Sequence, residues 1–380
     1  MHVLDIPPRL LAFLLLLLFL ELPLMGLDIY TLGIFVTANV FAIFAVSWDL
    51  LVGRTGLISL GHALFFGVGA YASALLFKYF SLPLWFTIPM ALLAGFSVAL
   101  LVGFPCLKVK GPYLALVTMA FPIILSAVIY YFAPVTGGEQ GVINLPTFFP
   151  FPNYYLRKLA EYYFTLILLA ASSMVVYKIA NSKTGIVFVS ILDNELASKA
   201  SGINVTKYKL LAFAISGLFG SLAGAVYAHL LTIANPPTLL LTISFLPVIL
   251  TILGGLGTIY GPIVGAYIYY ILNSYVFKNV IRIPPLWQIH IVTSFLPEIN
   301  SPIYTDYLML LVFTAVVVLL AIKWPRGTAR LVVDKLKDLE EAREIEKRAR
   351  KRRLNIRRSV DKLQAVFKGS KKKPEPAPKG

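Results

Sequence analysis

Charge is scarce in this 380-residue chain: 14% of residues are Asp, Glu, Lys or Arg against 58% hydrophobic, and the mean hydropathy is +0.80. Soluble domains carry roughly 25% charged residues, so a water-exposed globule is excluded. Cysteine is nearly absent as well. The single Cys106 rules out an intrachain disulfide and any multi-cysteine metal site. The four histidines, His2, His62, His229 and His290, are scattered, so no metal site is expected. There is no HExxH, no GxSxG and no Gly-rich loop ending in Gly-Lys-Ser/Thr. The chain therefore shows neither a hydrolase signature nor a cradle for ATP phosphates, and no cofactor is called for. An enzyme is the poorest reading.

What is abundant is long apolar sequence. Runs of about 20 apolar residues recur, each able to cross about 30 Å of hydrocarbon as a helix. Lipid leaves no partner for free backbone groups, so such runs must be helical; the alternation of a β-barrel is missing. The expected fold is all-α and polytopic, with spans at 9–25, 30–52, 59–77, 83–104, 112–133, 161–180, 209–231, 238–253, 259–278 and 304–323. Leu10–Leu24 is taken as a retained helix, because Glu21-Leu22-Pro23-Leu24 is a poor signal cleavage site. Gly53-Arg54-Thr55-Gly56 ends the second span and Gly111-Pro112 opens the fifth. The Gly254-Gly255-Leu256-Gly257 break splits one apolar stretch into two short helices, so eight spans or ten both fit.

The net charge of +16 is uneven. Residues 323–380 hold 20 Lys+Arg and 8 Asp+Glu, a net of +12, which leaves +4 for the remainder. Basic residues concentrate in one set of loops (Arg9, Arg54, Lys108, Lys110, Lys183, Lys199, Lys207, Lys209) and in the tail, so both termini are expected in the cytoplasm. Three regions result: a transmembrane domain at 1–327, a charged helical extension at 328–367 and a disordered tail at 368–380. The basic run at 347–358 either touches anionic lipid or is simply solvated. Two longer outer segments, 134–160 and 279–303, either function or cap the bundle.

Residues 57–71 and 253–267 align without gaps, with seven of fifteen positions identical, among them Gly61/Gly257, Gly69/Gly265 and Tyr71/Tyr267. Internal repeats are common in transporters, although apolar helices rich in Gly and Ala also resemble one another by chance. Small residues such as Gly67, Gly69, Gly217, Gly220 and Gly224 allow close helix approach, for packing or for a moving gate. Ionisable groups useful to a coupled transporter are missing: Glu21, Asp49 and Asp306 fall near span ends, as do His62 and His229. The energy source must then lie outside the polypeptide. The polar stretch 181–208 is too hydrophilic to insert. There Ser190-Ile-Leu-Asp193 reads as a capping box for a helix ELASKA, and Gly202 as its end. Such a surface helix serves either as an ordinary loop or as a lever for a partner.

From Asp193-Asn-Glu195-Leu-Ala197 through Ala200-Ser-Gly202-Ile203-Asn204-Val205 to Tyr208-Lys209, this stretch resembles the EAA-type loop of ABC importer permeases, specifically the LivM type of branched-chain amino acid importers. Residues 51–71, Lys110-Gly111-Pro-Tyr113, Thr136-Gly137-Gly138 and 253–262 are similar to that family in the expected order, over about residues 30–325. Ile191-Leu192-Asp193 stands where the family usually has a basic residue, and Lys199 where an acidic one is commoner.

The resemblance implies the membrane permease subunit of an ABC importer for branched-chain amino acids, in the cell membrane. Its partners would be a second permease subunit, two cytoplasmic ATPases and an extracytoplasmic binding protein. Asp193, Glu195, Ala197, Ala200 and Gly202 would form the ATPase-coupling loop. Gly61, His62, Gly67, Gly69, Gly255 and Gly257 are candidates for the pathway or its gate. A permease for urea or short amides is the alternative, and an ATP-independent channel a more distant one.

Overall fold

A computed structural model describes residues 26–109 and 111–274. Over this region the chain forms a helical bundle built from α1 (Ile29–Thr55), α2 (Ala63–Phe80), α3 (Leu84–Cys106), α4 (Pro112–Tyr131), α5 (Ala133–Thr136), α6 (Tyr154–Ala180), α7 (Lys183–Asp193), α8 (Glu195–Ala200), α9 (Val205–Leu231), α10 (Leu241–Gly254) and α11 (Tyr260–Ile271). Of these, α1, α2, α3, α4, α6 and α9 are long and apolar enough to cross a membrane, and α10 is a shorter apolar helix. Helices thus occupy eight of the ten expected spans. The spans at 9–25 and 304–323, and the tail, lie outside the described residues.

Local signals set the helix ends. Gly56 stops α1 in the left-handed region, at φ +71°. Gly111 precedes α4, which opens on a proline whose fixed φ suits the first turn. The Asn153 side chain accepts hydrogen bonds from the N–H groups of Tyr155 and Leu156 and so starts α6 at residue 154, earlier than the apolar run alone suggested. The Asn204 side chain caps α9 in the same way through Lys207 N–H.

Burial sorts the helices into inner and outer. The apolar stretches of α1 and α9 are 78% and 72% buried, whereas those of α3, α4 and α6 are 28%, 22% and 28% buried. A helix apolar on every side belongs in a core, and α1 fits that description, packing against α6, α9, α10 and α11. The outer helices present bare apolar side chains such as Leu101, Leu116 and Ile167, which water would not tolerate and lipid does. The protein is membrane-embedded.

One end of the bundle, here the loop end, gathers the end of α1, residues 56–62, the 181–204 segment and the Gly-rich break after α10. At the opposite end a two-residue antiparallel ladder pairs β1 (Val142–Ile143) with β2 (Ile233–Ala234), in register Val142↔Ala234. It ties the 137–153 segment to the end of α9. Below it the buried His229 donates through Nδ1 to the Pro146 carbonyl (3.0 Å), and its Nε2 lies 2.7 Å from Ser73 Oγ.

Candidate functional site

Two features at the loop end hold the residues that the sequence singled out. The first is a pair of breaks packed against α1. After Gly56 the chain runs back into the bundle without helical bonds. The Trp48 indole N–H donates to the Ser59 carbonyl (2.8 Å), and His62 Nε2 sits 2.8 Å from Ser47 Oγ. Ser47 lies eight residues before the end of α1, about 12 Å along the axis. Helix α2 therefore begins well inside the bundle.

Open backbone at membrane depth is stable only where protein groups satisfy it. The Leu60 N–H donates to Thr118 Oγ1 on α4 (3.1 Å), and the Ala63 N–H to Ser244 Oγ on α10 (3.1 Å). Gly61 is obligatory on steric grounds, since a Cβ there would lie 1.9 Å from the Thr118 carbonyl oxygen. His62 is fully buried. Ser47 Oγ donates to the Phe44 carbonyl (2.7 Å), so the His62 hydrogen is assigned to Nε2, and Nδ1 faces the interior with no partner among the described residues.

The second break follows α10. Gly255 and Gly257 take positive φ, +127° and +75°. Thr258 Oγ1 closes the turn by donating to the Gly255 carbonyl (2.8 Å). Asp49 Oδ1 on α1 accepts the Gly257 N–H at 2.7 Å. Gly53 lies against it, where a Cβ would come within 2.7 Å of the Gly257 backbone. The repeated segments share a place but not a backbone form: Gly61 and Gly257 precede a helix start by two and three residues and both turns pack on α1, but only Gly257 takes positive φ. Tyr71 and Tyr267 are both nearly buried.

Asp49 lies near the end of α1, as expected, six residues before Thr55, and its side chain is buried. Gly67 and Gly69 lie on α2, where a Cβ would press on Leu239 and on the Ser221 backbone of α9 respectively. They permit close contact of α2 with its neighbours.

The second feature is the 183–204 segment. Residues Gly185, Phe188 and Ile191 draw α7 against the bundle and keep it helical to Asp193. The expected cap at Ser190 is therefore not formed. Ser190 is inside α7, its hydroxyl donating to the Ile186 carbonyl (3.0 Å), and Asn194 caps α8 through Ala197 N–H (3.0 Å). Gly202, at φ +79°, follows the end of α8, with Ile203 N–H bonded back to the Ser198 carbonyl (3.1 Å).

Glu195 is clamped from two sides, by Lys199 (2.8 Å) within the helix and by Lys209 (2.6 Å) from the first turns of α9. Bonding to Lys199 first and to Lys209 next pulls its carboxyl down to about 2. Lys199, out of place by family resemblance, has its partner here. Asp193, Ala197, Ala200 and Gly202 are exposed. Leu196 and Ile186, which sequence reading passed over, are 75% and 66% exposed. Their signal was an apolar residue inside an otherwise polar loop. At the inner edge, Leu192 rests where a Cβ on Gly56 would be, at 2.9 Å.

Among the described residues, no group of three His, Cys, Asp or Glu stands close enough to hold a metal ion.

Comparison with known proteins identifies the family. The chain is 28% identical over 250 residues to the high-affinity branched-chain amino acid transport system permease protein LivM of Salmonella typhimurium, covering 60% of this chain and 59% of that one. It is 28% identical over 259 residues to LivM of Escherichia coli K12, covering 62% and 61%. It is also 27% identical over 251 residues to the ribose import permease protein RbsC of Haemophilus influenzae, covering 64% and 76%. The chain spans about three fifths of the length of the LivM relatives. No solved structure matches it. The model of the family described as branched-chain amino acid transport system / permease component matches residues 30–320, and the chain belongs to that family.

Proposed function

We propose that the protein is the membrane-spanning subunit of an ABC importer that passes branched-chain amino acids into the cytoplasm. A second permease subunit completes the path, two ATPases dock at the loop end, and an extracytoplasmic binding protein delivers solute at the opposite end. Both termini then face the cytoplasm. The observation that carries this reading is the exposed α8 helix, clamped to α9 by Glu195–Lys209 and joined through Asn194 to α7, whose Leu192 lies against Gly56 at the end of α1. A partner pressing on Leu196, Ala197 and Ala200 would move α1 and α9, the two most buried helices, together. A push on the loop biases the cycle only if the ATPases bind its states with different affinity.

The similarity to ribose permeases supports a second solute class for the same machine. The test is reconstitution with the candidate ATPases and binding protein in liposomes. ATP-dependent uptake of leucine, isoleucine or valine over ribose and urea is the expected result. Replacing Glu195 or Gly202 should weaken ATPase docking and lower uptake while the protein still inserts. Undiminished uptake in both variants would sink the role given to the loop.

A further inference from the structure

Two irregular stretches enter the bundle from opposite ends and meet inside it. Residues 57–62 come in from the loop end and pass into α2 at Ala63. Residues 232–240 come in from the ladder end, where the Thr232 carbonyl accepts the Leu145 N–H (3.0 Å) and Ala234 pairs with Val142. After a 3₁₀ turn at Pro236–Leu239 they pass into α10 at Leu241. The Leu239 side chain lies where a Cβ on Gly67 would be, and the Ala63 N–H reaches Ser244 Oγ (3.1 Å). Helices α2 and α10 therefore begin side by side and run in opposite directions, α2 toward the ladder end and α10 toward the loop end.

The seam between them is shut. His62, Ala63 and Ser244 are fully buried. Yet polar groups are stranded along it. Among the described residues, the buried side-chain atoms with no hydrogen-bond partner are His62 Nδ1 and the hydroxyls of Tyr71, Thr251 and Ser173. All but Ser173, on α6, belong to the start of α2, to α2 or to α10. Tyr71 follows Ala63 by about two turns and packs in one cluster with Ala234 and Leu239. Thr251 follows Ser244 by about two turns on the same face of α10. The three groups thus run in series, one toward the ladder end, one at the meeting point and one toward the loop end.

Each of them loses its water on folding without gaining a partner, which is unfavourable. Packing alone would be better served by Phe at 71 and Val at 251. Their polarity has a use in a second conformation, in which the seam parts and water reaches them. Pro247 gives α10 a place to bend, because it removes one backbone hydrogen bond just after Ser244.

We infer that the α2–α10 seam is a gate, bridged by the Ala63–Ser244 hydrogen bond, and that it parts to open this chain's side of the solute path. The inference rests on the permease reading above. In the open state His62, Tyr71 and Thr251 would offer a small polar solute successive hydrogen-bond partners in place of water.

The test uses the complex reconstituted in liposomes, with tritiated leucine as probe. Ala63→Cys and Ser244→Cys are combined in a Cys106→Ala background and oxidised with copper phenanthroline, and the new disulfide is verified by mass spectrometry of peptides. ATP-driven uptake should stop on oxidation and return with dithiothreitol, while the ATPases stay bound. Uptake that continues once the disulfide has formed would overturn the gate and leave the permease reading intact. Uptake missing from the unaltered complex would overturn the permease reading and the gate with it.

Ser244→Ala and Ser244→Thr decide the matter if the double variant fails to fold or to crosslink. Loss of the hydroxyl should let preloaded leucine leak out without ATP, and threonine, which keeps a hydroxyl, should retain it. Liposomes equally tight with the unaltered protein and both variants would overturn the inference.

Discussion

Asp49 Oδ1 accepts the Gly257 N–H at 2.7 Å, joining residues 208 positions apart. The bond holds the Gly-rich break between α10 and α11 against the central helix, and the carboxylate supplying it is buried. Asp49→Ala leaves that backbone donor unpaired inside the bundle, which costs about 1–3 kcal/mol. Asp49→Asn keeps an acceptor oxygen in place. The melting temperature in detergent should fall clearly for the alanine variant and much less for the asparagine. Equal losses would show that charge, rather than the acceptor, matters there.

Gly61 and Gly33 make a matched pair of tests. At Gly61 a Cβ meets the Thr118 carbonyl oxygen at 1.9 Å, and backbone cannot step aside. Gly61→Ala should reduce the yield of monodisperse protein severely. Gly33, the fifth residue of α1, has no described atom within 4 Å of where a Cβ would sit, so Gly33→Ala should be neutral or stabilising by about 0.5–1 kcal/mol. Size-exclusion profiles of the two variants give the comparison.

The pH dependence of the loop follows from Glu195. Its folded carboxyl is held near 2, below the ordinary value of 4.5, chiefly by Lys199 and then by Lys209. A depressed carboxylate contributes stability that is fully present above its unfolded value and is lost as pH falls toward the folded one. The α8–α9 clamp should therefore be constant from neutrality to about pH 5 and weaken between about pH 4.5 and 2. Limited proteolysis of residues 194–204 at stepped pH would follow it, and Lys209→Met, which brings the folded value back toward 4.5, should make the loss smaller and complete at higher pH.

Orientation can be read with a thiol reagent. Cys106 is the natural cysteine and is buried, so background labelling should be low. A cysteine placed at Ala197 should react with a membrane-impermeant maleimide only in inverted vesicles, and one placed at Tyr154 only in intact cells. The opposite pattern would reverse the topology.

The sequence yielded what lipid dictates and missed what long-range hydrogen bonds dictate. Span positions were legible because hydrocarbon sets run length, and the eight that can be compared all meet helices. Their starts were less so: α6 begins at Tyr154 because Asn153 caps it, a signal hidden among the aromatics of 148–155. The dip at 57–62 could not be read locally, because its donors are satisfied by Thr118 and Ser244, distant in sequence. The partner of Asp49 could not be read for the same reason, since Gly257 lies 208 positions away. Within the loop, Gly202 stood out through its conformational freedom. The cap was misplaced because the pull of Ile191 into the bundle outweighs a Ser-to-Asp pattern.

The chain's path back along α1 also bears on how the protein is made. Residues 57–62 leave the translocation machinery as bare backbone, and the hydroxyls that satisfy them sit on helices α4 and α10, synthesised later. Until Ser244 has emerged, the Ala63 N–H must keep another partner, water or translocon, so α1 and α2 cannot settle as a finished hairpin. The centre of this bundle is closed last, by the part of the chain that arrives late.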